Sequence, residues 1–353
     1  MSENIKFKSV QYSYKEPLHL QEHDLSELTS KFGADDILVK VKAAAINPID
    51  IMLYNTARYI FFKRHEQGFA ADFSGVVLQK GANVKRVEVG DRIAGAFGER
   101  LTRQGTLSEY LLFNTVKSKD AYAKIPDSLS FVDAASFPLV FATAYGTLKA
   151  HHEPSNTTRA LVYGGATSVG GYVIQLLKNH YNAEFIVSVN SSKSAERVKE
   201  YGADVTIDYK TQDVAREVTK IVEESGKKFD LIVDTVGTKV LFPDIEKTLK
   251  SKHENAGYVS LVGDHVADYR NSIFGLLSFS TIKRILFPKS YNYQFAQVSP
   301  GPKPIEFFTT LYQEGKVKVT IDSVHSLKNF QDAIDRLINH TAAGKVVVNV
   351  EEE

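Results

Sequence analysis

The residues from Gly164 to Gly170, Gly-Gly-Ala-Thr-Ser-Val-Gly, join an apolar run, Ala160 to Tyr163, to an amphipathic stretch carrying Tyr172, Val173, Ile174, Leu176 and Leu177. A strand, a tight turn and a helix in direct succession make an anion site. The turn lets the backbone approach a phosphate, and the helix begins with its N–H groups and dipole aimed at the charge. Gly165 and Gly170 fill the outer positions of a G-x-G-x-x-G pattern, with Thr167 in the middle one. A glycine string alone is weak. Here a strand precedes it, a helix follows, and a second strand, Glu184 to Asn190, comes at the right distance. Gly165, Ala166, Thr167, Ser168, Val169 and Gly170 are therefore candidates to cradle the pyrophosphate of a dinucleotide.

The end of the second strand chooses between cofactors. An Asp or Glu there binds a ribose 2′-hydroxyl. This chain has Asn190, Ser191, Ser192 and Lys193. Hydroxyls and a lysine suit a 2′-phosphate through charge-assisted hydrogen bonds, so NADPH is the expected cofactor. The same residues would also cap the next helix; the two roles are compatible. Ligands on parallel sheets lie beyond the carboxyl ends of strands, which adds Val236 and Gly237 after Leu231–Thr235, and Val262 and Gly263 after the strand that starts at Gly257.

These residues need elements to hold them. Residues 1 to 134 read as β-rich, with strands at Lys6–Tyr12, Asp36–Ala45, Ser74–Gln79 and Glu109–Phe113 between Gly, Pro and Asp turns. A helical pattern runs from Phe131 to Lys149. Strands and helices then alternate to Val262, which predicts a parallel sheet covered on both faces. Helices near Pro304–Glu314 and Leu327–Thr341 and a strand at Lys345–Val350 close the chain. The 353 residues exceed one ordinary core and imply two domains. Lys plus Arg number 43 against 42 Asp plus Glu, so no nucleic acid or other polyanion partner is implied. There is no Cys for a disulfide or thiolate metal site. No stretch is long and apolar enough to span a bilayer, and the first residues carry neither a signal-peptide core nor an Arg-rich transit pattern. A cytosolic location is the expectation.

With these motifs in view, the chain resembles the medium-chain dehydrogenase/reductase superfamily, in its zinc-free quinone oxidoreductase branch. The resemblance rests on ordered segments: Val41-Lys-Ala-Ala-Ala-Ile-Asn-Pro-Ile-Asp50, Ala71-Asp-Phe-Ser-Gly-Val-Val77, Val89-Gly-Asp-Arg-Ile-Ala-Gly95, Gly105-Thr-Leu-Ser-Glu-Tyr110, Lys124-Ile-Pro-Asp-Ser-Leu129, Thr143-Ala-Tyr145 and Ala343-Gly-Lys-Val-Val-Val348. It implies an α/β fold. A GroES-like β-rich catalytic domain would take residues 1–134 together with 289–353, and a doubly wound parallel-sheet (Rossmann) NADP-binding domain residues 135–288. Zinc members bind catalytic metal through a Cys that corresponds here to Asn47 and a His that corresponds to Ala71. Zinc takes N and S donors in a tetrahedral set, so no metal is expected.

What the resemblance then implies is hydride transfer from NADPH to a quinone or an α,β-unsaturated carbonyl, with the protein supplying position and electrostatics. Asn47 is the first candidate for donor to the developing oxyanion. Asp50 is a second catalytic candidate, although a carboxylate three residues on more often accepts turn N–H groups. Tyr54 is a candidate proton donor, with Tyr59 near it. The resemblance also implies that Thr143 contacts the nicotinamide, that Tyr209 packs near Lys193 and the 2′-phosphate, and that Tyr291-Asn-Tyr-Gln-Phe-Ala-Gln-Val298, with Phe295, returns over the nicotinamide.

Residues 271–288 are apolar and aromatic with two adjacent basic residues, Lys283 and Arg284. Three readings are open: a buried helix closing the cleft, which is the plainest, a homodimer surface, or an amphipathic patch on a lipid surface. Some members of the superfamily associate with lipid droplets or mitochondria. That keeps a second function class in view: a reductase fold acting as an interaction or membrane-peripheral factor with little catalysis.

Overall fold

The computed structural model describes residues 5–99, 101–119, 121–151, 153–287, 290–299 and 301–351. The strands in chain order are β1 (Lys6–Tyr12), β2 (His19–Asp24), β3 (Asp36–Ile46), β4 (Gln67–Gly68), β5 (Asp72–Lys80), β6 (Arg92–Ala96), β7 (Tyr110–Asn114) and β8 (Tyr122–Lys124). They continue as β9 (Arg159–Tyr163), β10 (Phe185–Asn190), β11 (Val205–Asp208), β12 (Leu231–Asp234), β13 (Gly257–Ser260), β14 (Asn292–Phe295), β15 (Ile321–Ser326) and β16 (Lys345–Asn349). The α-helices are α1 (Leu25–Thr29), α2 (Pro48–Asn55), α3 (Phe131–Ser136), α4 (Pro138–His151), α5 (Ser168–Asn179), α6 (Ala195–Glu200), α7 (Val214–Ser225), α8 (Ile245–Thr248), α9 (Phe279–Leu286), α10 (Lys303–Gln313) and α11 (Phe330–Ile338).

The six strands β9 to β14 are parallel and lie in the order β11-β10-β9-β12-β13-β14. This is the doubly wound order, and it reverses between β9 and β12, the place where such sheets bind ligands. The strands are buried on both faces, as crossover helices require: Leu161, Val187, Ile232 and Tyr258 pack to one side, and Val162, Ile186, Val233 and Val259 to the other. Phe295 ends β14, paired with Ser260 of β13. The chain thus returns to its first domain after Phe295. That is later than a boundary at 288 and 289, where both Pro288 and Lys289 lie outside the described residues. The sequence hid this strand because Asn292-Tyr-Gln-Phe295 carries little of the apolar run of a central strand.

The other domain is a seven-stranded sheet, β15-β16-β3-β5-β6-β8 with β7 also on β3, accompanied by the small sheet β2-β1-β4. Both ends of the chain build it, since β16 pairs antiparallel with β3. The long helical pattern from Phe131 breaks at Pro138, which begins α4. Helix α4 packs on α5, and Phe137 stacks on Phe308 of α10 at 3.6 Å. Tyr201 bonds Thr320, and Gln175 both donates to the Lys318 carbonyl and accepts from its N–H. The dinucleotide sheet is thereby held against the segment that leads into β15.

Candidate active site

The phosphate loop shows why its glycines stand where they do. A Cβ on Gly165 would lie 2.1 Å from the Ser188 hydroxyl, and one on Gly170 would lie 2.3 Å from the Gly164 carbonyl. Either collision would push the loop off β10 or unwind the start of α5. Thr167 takes the middle position for a different reason. It is the N-cap of α5. Its hydroxyl accepts from the Gly170 N–H at 3.0 Å, donates to the Gly164 carbonyl at 2.9 Å, and lies 2.9 Å from the Thr235 hydroxyl. The threonine side chain therefore turns into the sheet and joins the loops after β9 and β12 across the switch point. This cradle fits a dinucleotide pyrophosphate.

On the β10 side, Asn190 is spent locally: it accepts from Ser188 at 2.8 Å and donates to the Ser191 carbonyl at 2.9 Å. Lys193 is exposed, in a 3₁₀ turn of Ser192–Ser194. Tyr209 is exposed beyond β11, with the Lys210 ammonium 5.9 Å from its ring centre. Asp208, the register partner of Asn190, adds an acid nearby. Its carboxyl is held below the usual range by the Lys210 N–H first, then by Thr211 and Ser192. On the β12 side the buried carboxylate of Asp234 accepts from the N–H groups of Val236, Gly237 and Thr238 and from the Tyr258 hydroxyl at 2.8 Å. Burial raises the Asp234 carboxyl despite those donors. Thr143 donates to the Leu139 carbonyl at 2.7 Å and is half-buried on α4.

A second centre lies at the end of β3. Asn47 caps α2 with Asp50 in a capping box. The Asp50 carboxylate accepts from the Asn47 backbone N–H at 2.9 Å and from its side-chain amide at 3.2 Å. That amide also donates to Asp72 at 2.9 Å. The Lys345 ammonium donates to the Asn47 carbonyl oxygen and to Asp72, each at 2.6 Å. The other Asp72 oxygen accepts from Leu139 N–H at 2.9 Å, at the head of α4. All four side chains are buried.

Tyr54 stands one turn beyond Asp50 on α2. Arg58 donates to its phenol oxygen at 2.7 Å, and its ring meets Tyr12 edge-on at 4.9 Å. Burial pushes the phenol above the usual tyrosine value, while the Arg58 hydrogen bond and charge restrain the rise. Tyr12, Asp50, Leu53, Phe69 and Leu101 line a small cleft beside it. Tyr59 is exposed, with the Arg58 guanidinium 5.4 Å from its ring.

Residues 33–127 match the alcohol dehydrogenase GroES-like domain family, and residues 201–348 the zinc-binding dehydrogenase family. Protein YIM1 of Saccharomyces cerevisiae is 33% identical, over 99% of each chain. The chain belongs to the medium-chain dehydrogenase/reductase superfamily. Two solved structures of this superfamily's fold show how widely it is shared. A quinone oxidoreductase from Coxiella burnetii superposes with a TM-score of 0.75 at 22% identity, covering 98% of this chain and 100% of that one. A mycobacterial protein solved with NADPH superposes at 0.73 with 16% identity and the same coverage.

Within this dehydrogenase/reductase fold, the structure brings Gly165, Ala166, Thr167, Ser168, Val169 and Gly170 to the C-terminal end of β9, next to Val236 and Gly237. Ser191, Lys193 and Tyr209 follow β10 and β11, and Val262 follows β13. Asn47 differs from the expected free donor, since both hydrogens of its amide already have acceptors. The reason is Asp72, a buried carboxylate that needs donors. Asp50 accepts turn N–H groups, as its spacing from Asn47 suggests. The sequence reading missed Asp72, Lys345, Asp234 and Arg58. The first of these follows directly on Ala71, a position already singled out, and was within reach. Lys345 was not, because it lies 298 residues from Asn47.

Proposed function

We propose that this oxidoreductase passes hydride from NADPH to a quinone or an α,β-unsaturated carbonyl, in the cytosol and without a metal ion. The observation that carries the reading is the network at Asn47. Where zinc members place a thiolate, this chain places an amide whose carbonyl already accepts from the Lys345 ammonium. That same ammonium neutralises Asp72. A divalent cation would meet an alanine at position 71, a neutral amide and a fixed positive charge, which is a poor donor set for zinc. Without Lewis-acid polarisation, the acceptor must itself be electron-poor, as quinones and enones are.

NADPH, when bound, supplies the hydride. The loop from Gly164 to Gly170 would hold its pyrophosphate, and Ser191 and Lys193, with Tyr209 alongside, its 2′-phosphate. Tyr54 is the group with a proton to give. Its oxygen already accepts from Arg58, so its own proton is directed elsewhere, and the guanidinium would stabilise the phenolate left behind. The network of Asn47, Asp50, Asp72 and Lys345 fixes the start of α2 and thereby the placement of Tyr54.

One observation favours a second reading, a reductase fold working as an interaction factor: the Asn47 amide has no hydrogen left for a substrate oxyanion. A single assay separates the two. NADPH absorbance is followed with a panel of quinones and short enals, with NADH as the control. Acceptor-dependent oxidation of NADPH supports the reductase. No oxidation with any acceptor supports the interaction factor.

A further inference from the structure

Helix α9 is built inside out. A surface helix normally turns its apolar stripe to the core. Here Phe279, Ile282, Ile285 and Leu286 form one stripe at i, i+3, i+6 and i+7, and all four face solvent, Phe279 at 83% and Leu286 at 63% exposure. The polar face turns inward. Ser278, the N-cap, donates to the Asp264 carboxylate at 2.6 Å, Ser280 at 2.5 Å and the buried Thr281 at 2.9 Å. Arg284, on the same face, lies 3.7 Å from Asp264 and 3.6 Å above the Phe242 ring. Asp264 is fully buried. Burial raises its carboxyl, but the three hydroxyls and the Lys239 charge overcome this and bring it down to about 2. The anchor is thus ionised throughout the physiological range, and it holds the apolar stripe outward. Burial of this segment, the plainest expectation from its composition, is not what the structure shows.

A second exposed segment adjoins the first. After α2 a π-helical turn, Thr56–Ile60, leads to Phe61 and Phe62, and Tyr59, Ile60, Phe61 and Phe62 are all exposed. Asn55 donates to the Tyr269 carbonyl at 3.1 Å, and the Ile273 N–H donates to the Thr56 hydroxyl at 2.9 Å. Phe61 and Phe274 meet edge-on at 6.3 Å. One apolar face therefore spans both domains, and α2 reaches it from the Asn47 network.

Charge selects the occupant. From Tyr54 to His65 the charged residues are Arg58, Lys63 and Arg64, of which Arg58 donates to Tyr54. From Tyr269 to Phe287 they are Arg270, Lys283 and Arg284, of which Arg270 lies 3.8 Å from Asp268 and Arg284 turns in to Asp264. Lys63, Arg64 and Lys283 therefore carry the charge of this face. Neither stretch contains Asp or Glu. A second copy of this chain would set cation against cation. A layer of anionic headgroups over acyl chains complements both the charge and the apolar stripe. Among the described residues no helix is long and apolar enough to cross a membrane, so the fitting geometry is one that lies on the surface. We propose that this face docks the protein on an anionic phospholipid bilayer. The exposed phenylalanines enter the boundary between headgroups and acyl chains, and Lys63 and Lys283 sit among the headgroups.

The test is sedimentation of the full chain with vesicles of phosphatidylcholine plus phosphatidylserine, and of phosphatidylcholine alone. Binding is expected only with the anionic lipid, and it should weaken as salt rises. Phe279→Ser with Leu286→Ser should weaken it about 100-fold, from the loss of two buried apolar side chains. Lys283→Glu should weaken it about tenfold or more. Circular dichroism and thermal unfolding of these variants should match the unaltered protein, because the substituted side chains face solvent. No binding by the unaltered protein, or equal binding by the variants, would overturn the proposal. So would a homodimer in light scattering that the double substitution splits while vesicle binding is absent; the face would then be a subunit interface. Vesicle binding needs neither cofactor nor acceptor, so its failure leaves the reductase reading standing, and a failed turnover assay leaves lipid docking standing.

Discussion

The Lys345 ammonium and the Asp72 carboxylate, 273 residues apart in sequence, form an ion pair at 2.6 Å with the side chains 5% and 0% exposed. Strand β16 brings the lysine to β3, and β5 brings the aspartate to β3 from the other side. Such a pair costs desolvation on both members and repays it only when every remaining polar atom is satisfied. Here Asn47 and the Leu139 N–H complete the set. The pair joins β16 to the starts of α2 and α4, and so ties both helices to the sheet.

Lys345→Met should accordingly destabilise the protein by about 3–5 kcal/mol, because it strands a buried carboxylate. Adding Asp72→Asn should recover much of that loss. The neutral amide can still accept from Leu139 through its oxygen, and the buried charge that lost its counterion is gone. Urea midpoints of the two variants and the parent check this. Equal midpoints for single and double variants would mean that the pair is not what the lysine serves.

Tyr54→Phe should lower kcat on enones by about 10²-fold, the usual scale for loss of a general acid. It should spare quinones, whose reduced form takes protons from water. The pH dependence follows from the raised phenol. An acid works only while it holds its proton, so enone turnover should stay level through neutral pH. It should fall only above the ordinary tyrosine range near 10. A fall on quinones as large as on enones would assign Tyr54 to packing or binding.

Lys193→Ala should weaken NADPH binding by about 10- to 100-fold, the equivalent of about 1.5–3 kcal/mol for a charged hydrogen bond, with NADH binding nearly unchanged. Titration of cofactor fluorescence reads both. The nearby Asp208 makes this a sharp test. If the unaltered protein binds both cofactors equally, the rim after β10 and β11 is not a 2′-phosphate site.

The doubly wound sheet was legible because its information is local: apolar runs, glycines and helix periods lie within a few residues of each other from Ala160 to Val262. The phosphate loop was legible for the same reason, and Thr167 departs from the pattern because one hydroxyl both caps α5 and ties it to Thr235. Strand β14 was missed, since Asn292, Tyr293, Gln294 and Phe295 alternate polar and aromatic over only four residues and lack the continuous apolar run of the other strands in this sheet. The Asn47 network was half legible. Asp50 sits at capping-box spacing, but Asp72 and Lys345 reach Asn47 only through strand pairing that no local pattern encodes. Helix α9 misled for a physical reason. Its periodicity is that of a core-facing helix, and only the buried Asp264 reveals which face turns in.

Asp264 gives the last prediction, on stability against pH. Its folded-state carboxyl lies at about 2, below the ordinary value near 3.9 that it has when unfolded. A depressed carboxyl contributes stability that is complete above the unfolded value and is lost as pH falls through the folded one. The shift corresponds to about 2–3 kcal/mol. Asp264→Asn should therefore be less stable than the parent by about that amount at neutral pH, and the gap should hold down to about pH 5. Between about pH 4 and pH 2 it should close, because the parent loses the advantage of its charge while the variant has none to lose. Urea unfolding of both proteins across this range isolates Asp264, since the other titrating groups are common to the two. A gap that stays constant from pH 7 to pH 2 would show that the shape of the side chain, and not its charge, holds the polar face of α9 inward.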